Sequence, residues 1–151
     1  MTKDIHGSTA LETQIGGDHY KSGIQPFQIS MANGHDACTH AMNKYVTRHR
    51  RKPPEKGYED LKKAHHIAAI RLELMTLYGV HHPPHKPLIG IADYVTSNKL
   101  ATPDAAAVYA IEAWHGRMHC DHQRWHDHIR SLIRKAALAA YPDTYSEKDF
   151  A

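Results

Sequence analysis

The chain has 151 residues, enough for one domain with its own core and too few for two comfortable ones. Lys and Arg total 19 against 16 for Asp and Glu, and the resulting formal charge of +3 is too weak to mark a nucleic-acid binder by itself, whereas the 15 histidines supply many candidate ligands and proton carriers. Cys38 and Cys120 form no spaced set of four, the opening MTKDIHGSTALETQIGG holds no apolar leader, and no later segment reaches the ~18 apolar residues of a membrane span, so a cytoplasmic protein is expected.

Residues 1–17 are polar and end in Gly16-Gly17, which predicts a flexible arm, with order expected from Asp18. In IQPFQISMANG, Pro26 suits a first helical position, Phe27, Ile29 and Met31 follow it, and Asn33-Gly34 supplies a stop, so a short helix is predicted. Asp36 is placed to cap the next helix. Across residues 36–51, Cys38, Met42, Tyr45 and Val46 recur at helical spacing, with Pro53-Pro54 closing the element. PPEKG reads as a tight connection, and residues 58–78 carry Leu61, Ala64, Ala68, Leu72 and Met75 on one face. Two helices joined so briefly pack as an antiparallel hairpin.

GVHHPPHKP reads as a proline-stiffened linker dividing a helical module, residues 18–80, from an extension over residues 81–151. Within that extension PLIGIADYVTSN predicts a further short helix. Thr102-Pro103-Asp104 then offers a capping hydroxyl, a proline at the first position and an acid at the positive end of the helix dipole. The helical pattern runs on to about residue 140, with a break expected near Gly116. Strand-like alternation, repeats and heptads are all missing, so the expected class is all-α: an antiparallel helical hairpin core with an additional C-terminal helical extension. An exposed apolar helical face on so small a module makes a homo-oligomer the expected state.

MNKYVTRHRRK, residues 42–52, concentrates the positive charge. On a helix His40, Lys44, Arg48 and Arg51 fall along one stripe, flanked by Asn43 and Thr47. Like charges at this spacing repel, and a bound anion would offset the cost. The plain alternative is a solvated basic face at a helix C-terminus, where cations suit the dipole. Either way the stripe is not expected to stabilise the fold. EDLKKAHH, just after the short connection, brings Asp60 and Lys62-Lys63 beside the end of the stripe. An acid amid bases suits a phosphorylated ligand, with cations for the phosphates and a carboxylate to orient a sugar, a metal or an attacking group. A free nucleotide fits better than a nucleic acid, because Tyr45 is the one aromatic of the stripe and no stacking platform or helix-turn-helix accompanies it. No Gly-x-x-x-x-Gly-Lys-[Ser/Thr] occurs, which excludes a P-loop.

GGDHYKSGIQPFQISMANG, NKYVTRHRRK and EDLKKAHH, in that order and spacing, resemble the SaV-like family of phage proteins, long described as a domain of unknown function and including a podovirus nucleotide kinase. The resemblance covers about residues 14–78. It implies a phosphoryl transferase that makes deoxynucleoside diphosphates from monophosphates, with ATP as co-substrate and Mg2+ as the candidate ion, in the cytoplasm of a host cell if the chain is phage-encoded. His19, Tyr20, Asn43, Lys44, Tyr45, Arg48, Asp60, Leu61, Lys63 and Ala64 fall on the shared pattern. Taken with the stripe, this assigns Asp60, Lys44 and Arg48 to catalysis and His19, Tyr20, Asn43, Lys52 and Lys63 to substrate binding, while Leu61, Ala64 and Tyr45 are left to packing. His35, His40 and His49 depart from the family pattern, as does the region after Gly79. A protein that holds a nucleotide without turnover would carry the same residues, so a non-catalytic nucleotide-binding protein is the alternative.

WHGRMHCDHQRWHDH sets His115, His119, His122 and His126 at i, i+4, i+7 and i+11, a spacing that admits zinc on one helical face. The preferred reading assigns no metal ligand and makes this a polar-aromatic seam packed on another helix or subunit, with Trp114 and Trp125 supplying apolar area. His35-Asp36, with Asp93 or Asp104 downstream, admits a metal-dependent nucleotide phosphohydrolase, against a plain helix cap for Asp36. Cys38 is expected in the core rather than as a nucleophile.

Overall fold

The computed structural model describes residues 10–11, 23–79 and 86–151, so His19, Tyr20 and most of the expected arm and linker lie outside the described residues. Six α-helices and two 3-10 turns account for the regular structure, with no strand among the described residues, and the fold is all-α.

Pro26 opens α1 (Pro26–Asn33), and Gly34, at φ 67°, closes it in the left-handed conformation that a glycine adopts without strain. Asp36 caps α2 (Ala37–Arg48) by accepting the Thr39 N–H at 2.7 Å. A 3-10 turn, His49–Arg51, ends that helix, and Lys52 and Pro53 alone separate it from α3 (Pro54–Tyr78). The expected start at residue 58 is therefore too late. PPEKG is mostly the first turn of α3, with a proline at a position whose missing N–H has no intrahelical partner to lose.

Three shorter segments complete the order: α4 (Ile91–Ser97), α5 (Thr102–His115) and α6 (His122–Ala140), followed by a 3-10 turn at Glu147–Phe150. The break expected near Gly116 is present, and Asp121 caps α6 through the Arg124 N–H at 3.0 Å. Thr102 does not cap α5; Ala101 holds that position without a side-chain bond, and Thr102 is already helical.

Side-chain pairs fix the helix directions. Arg48 at the end of α2 meets Asp60 near the start of α3, and Asp36 at the head of α2 meets Arg71 far along α3, so the two run antiparallel. Helix α5 is antiparallel to α2 as well, because Asp104 in its first turn meets His49 and Arg50 while Glu112 near its end meets His35. Met42 and Val46 of α2, Leu61, Ala64 and Ala68 of α3, Val108, Ile111 and Trp114 of α5, and Ile129 and Ile133 of α6 lie in one buried cluster. Helices α4, α5 and α6 thus share their core with the helices before them. Each large aliphatic side chain buried there contributes roughly 1.5–3 kcal/mol.

A buried polar bridge locks the start of α5 onto the end of α2. His49, with no exposed surface, has Nε2 at 2.8 Å from Asp104 Oδ2 and Nδ1 at 2.8 Å from the Tyr141 hydroxyl, and Arg50 Nε donates to the same Asp104 oxygen at 2.7 Å. No described helix is long and apolar enough to cross a membrane.

Candidate anion-binding site

The cations of the stripe come from the last turns of α2 and its connection to α3, and the hairpin brings the first turns of α3 against them. Asp60 is 1% exposed and takes Arg48 in a two-point grip, Nε to Oδ2 at 2.9 Å and Nη2 to Oδ1 at 3.2 Å. Lys52 Nζ stands 3.9 Å from the same Oδ2. The half-buried Tyr45 ring collects the rest: Lys44 Nζ lies 4.7 Å from its centroid, the Arg48 guanidinium 5.0 Å and Lys63 Nζ 5.7 Å. Four positive side chains, Lys44, Arg48, Lys52 and Lys63, therefore gather around one carboxylate and one aromatic face.

This concentration has an electrostatic cost that a ligand would remove. Burial, and then the charge of Arg48, pull the Lys44 ammonium below the ordinary lysine range, with Lys52 and Lys63 adding to the effect and Asp60 opposing it. Lys52 is lowered too, by burial first, with Asp60 opposing and Arg48 and Lys63 reinforcing. A phosphate would supply the missing negative charge. Because both Asp60 oxygens engage Arg48, this carboxylate supports the guanidinium in its place and narrows where an anion can sit.

Of the residues assigned from sequence, Lys44, Arg48, Lys52, Asp60 and Lys63 come together, while His19 and Tyr20 fall outside the described residues. Asn43 is not among the cluster. It is 2% exposed, and its Oδ1 accepts the Thr47 hydroxyl at 3.3 Å; Thr47 in turn lies 2.6 Å from the Tyr94 hydroxyl of α4. Leu61 and Ala64 are core, but Tyr45 is more than packing, since it floors the cation cluster. Arg51 leaves the stripe at the 3-10 turn and donates to the Asn98 carbonyl at 3.0 Å and to its Oδ1 at 3.1 Å.

The other candidates are placed as follows. Asp36 is a cap and the ion partner of Arg71 at 3.1 Å, with His115 Nδ1 at 3.7 Å; burial pushes its carboxyl up, but His115, Arg71 and the Thr39 N–H together hold it well below the usual range. His115, His122 and His126 diverge: His115 turns to Asp36, His122 Nδ1 accepts the Trp114 indole N–H at 3.1 Å, and His126 Nδ1 sits 2.8 Å from Asp127. Among the described residues no three His, Cys, Asp or Glu side chains are grouped to hold a metal ion. Cys38 is half-buried and lines a cavity of about 240 Å³ with Arg71, Leu74, Met75 and Tyr78, and burial followed by Asp36 pushes its thiol up, away from the reactive thiolate. A second cavity of about 470 Å³ lies beside Arg117, Arg124 and Trp125, and neither cavity is lined by the cation cluster. Comparison of the chain with protein-family models, with curated proteins and with solved structures gives no match.

Proposed function

We propose that the chain binds a nucleotide through Lys44, Arg48, Lys52 and Lys63 and transfers a phosphoryl group from ATP to a deoxynucleoside monophosphate without a P-loop. The single observation that carries this reading is the gathering of four cations, from two helices and their connection, around the buried carboxylate Asp60 and the Tyr45 ring. The motif resemblance to phage nucleotide kinases supports the choice of substrate class. Phosphoryl transfer asks a protein chiefly for alignment and charge neutralisation, and basic side chains on a rigid helix pair provide both. In this reading Lys44 and Arg48 hold the transferring phosphate, Lys52 and Lys63 the flanking ones, and Asp60 sets the Arg48 guanidinium. Mg2+ would accompany ATP.

The two-point engagement of Asp60 favours a second reading, a nucleotide-binding protein without turnover, because a carboxylate committed to Arg48 is less available to a sugar, a metal or an acceptor. Incubation with ATP and each deoxynucleoside monophosphate, with products separated by chromatography, decides between them. Diphosphate plus ADP is the kinase result. Unaltered ligand at measurable affinity leaves the binder, and phosphate release without ATP would instead indicate a hydrolase. Self-association belongs to the same proposal, supported by the exposed side chains of Phe27 and Met31 on α1 and of Leu77 and Tyr78 at the end of α3.

A further inference from the structure

The larger of the two cavities, about 470 Å³, lies where the α5–α6 connection meets the first turns of α6, and its volume is within the range of small-molecule sites. Its lining is Arg117, Asp121, Arg124, Trp125 and His128, charged and aromatic side chains with no aliphatic one among them. Helical register accounts for three of these: Arg124, Trp125 and His128 stand at i, i+1 and i+4, so Arg124 and His128 are neighbours on one face with the indole beside them. Arg117 comes from the connection before α6, and its guanidinium lies 4.8 Å from the centre of the Trp125 ring. The His128 ring stands at 78° to the same indole, with 6.1 Å between centroids. Trp125 is half-buried and packs on the core, which makes the indole a fixed wall of the pocket.

The positive charge of this lining is not matched within the protein. Among the described residues neither the Arg117 nor the Arg124 guanidinium has an ion-pair or hydrogen-bond partner. The one carboxylate of the lining, Asp121, caps α6 by accepting the Arg124 backbone N–H at 3.0 Å, so two guanidiniums stand against one carboxylate. Two unengaged guanidiniums suit a phosphate, whose nearly double negative charge at neutral pH and several acceptor oxygens let it take bonds from both. An indole suits a planar ring. We propose that this pocket binds a nucleoside phosphate, with the base packed on Trp125 and the phosphate held by Arg117 and Arg124, at a site separate from the cation cluster of Lys44, Arg48, Lys52 and Lys63. A guanidinium stacked on an aromatic ring keeps the N–H groups at its edge for an anion, so Arg117 serves the phosphate from where it stands. Asp121 disfavours the phosphate at the cap of α6 and directs it toward the arginines. The pocket stands whether or not the cation cluster takes phosphate.

Trp114 and Trp125 are the two tryptophans of the chain, and Trp114 has no exposed surface, so a ligand that touches an indole touches Trp125. The test is a titration of deoxyadenosine monophosphate followed by tryptophan fluorescence, in the parent, Arg117→Ala, Arg124→Ala, Lys44→Ala and Trp125→Phe, with deoxyadenosine and inorganic phosphate as competitors. Arg117 and Arg124 are exposed, and their alanine variants should keep the fold. The expected result is saturable quenching in the parent, the same midpoint in Lys44→Ala, a midpoint raised about tenfold or more in each arginine variant, and no quenching in Trp125→Phe, whose remaining indole is buried. Each competitor should bind about fivefold or more below the nucleotide, deoxyadenosine for want of the phosphate contacts and phosphate for want of the stacking. In calorimetry the pocket is then a separate binding step that Lys44→Ala keeps and Arg117→Ala weakens. Absence of saturable quenching overturns the inference, as does quenching that Lys44→Ala weakens while both arginine variants leave it unchanged, or deoxyadenosine that binds as tightly as the nucleotide.

Discussion

Replacing Arg48 by alanine removes a cation from the candidate site and also strips a buried carboxylate of its two-point partner. Arg48→Ala is therefore expected to cost on the order of 3 kcal/mol in denaturant unfolding, because Asp60 at 1% exposure is left without that partner. Lys44→Ala, which breaks no such pair, should stay within about 0.5 kcal/mol of the parent. Equal stability for the two variants would show that Asp60 finds other support. The expectation that the stripe stabilises nothing thus fails at Arg48, for a reason the stripe alone does not contain. A second residue-scale expectation concerns His65, 2% exposed, whose ring nitrogens face Arg130 Nε at 3.0 Å, Arg130 Nη2 at 3.2 Å and Arg134 Nη1 at 3.1 Å. Burial, then Arg130 and Arg134, push its pKa down from 6.5 to about 3. The unfolded chain binds the proton more readily, so the contribution is complete above pH 6.5 and is lost as pH falls toward 3, at about 1.4 kcal/mol per unit. Urea midpoints for the parent should drop through that window, and His65→Gln should flatten the slope; an unchanged slope would sink the assignment. Such buried histidines were not legible beforehand, since the Asp104 partner of His49 lies 55 residues away and its Tyr141 partner 92.

Local grammar made most elements readable. Proline before an apolar run, glycine after it, and aspartate at the cap mark α1 and α2, and Gly116 breaks the long C-terminal pattern. The failures occur where one signal has two meanings. Pro53-Pro54 both stops a helix and starts one, and the same ambiguity let Thr102 pass for a cap when Ala101 fills that place. Gly57, in the first turns of α3, shows what the tight turn between α2 and α3 demands: a Cβ there would run into the His49 carbonyl and the Tyr141 hydroxyl. Gly57→Ala should accordingly destabilise the protein by about 1–3 kcal/mol despite the gain in helix propensity, read as a lowered thermal midpoint. A midpoint equal to or above that of the parent would mean that α3 shifts freely against the 3-10 turn. Tyr141→Phe would leave His49 Nδ1 without its partner while keeping the ring, and should cost about 1–2 kcal/mol.

At the scale of the molecule, the first half supplies the cluster and the second half supplies the surfaces against which its helices are held. Asp104 anchors the 3-10 turn that follows α2 and Glu112 the connection that precedes it, so the orientation of Lys44 and Arg48 depends on α5. The cation cluster itself was legible because helical spacing and a short hairpin are local facts. The dependence on α5 was not, because it rests on packing between segments far apart in sequence. Whether the cluster binds phosphate is decided by calorimetric titration of deoxynucleoside monophosphates into the parent, Lys44→Ala and Lys52→Ala. Saturable binding by the parent, weakened about tenfold or more in each variant with the Lys44→Ala fold intact, is the expected result; affinities in both variants equal to that of the parent would contradict it and return the stripe to a solvated helix face.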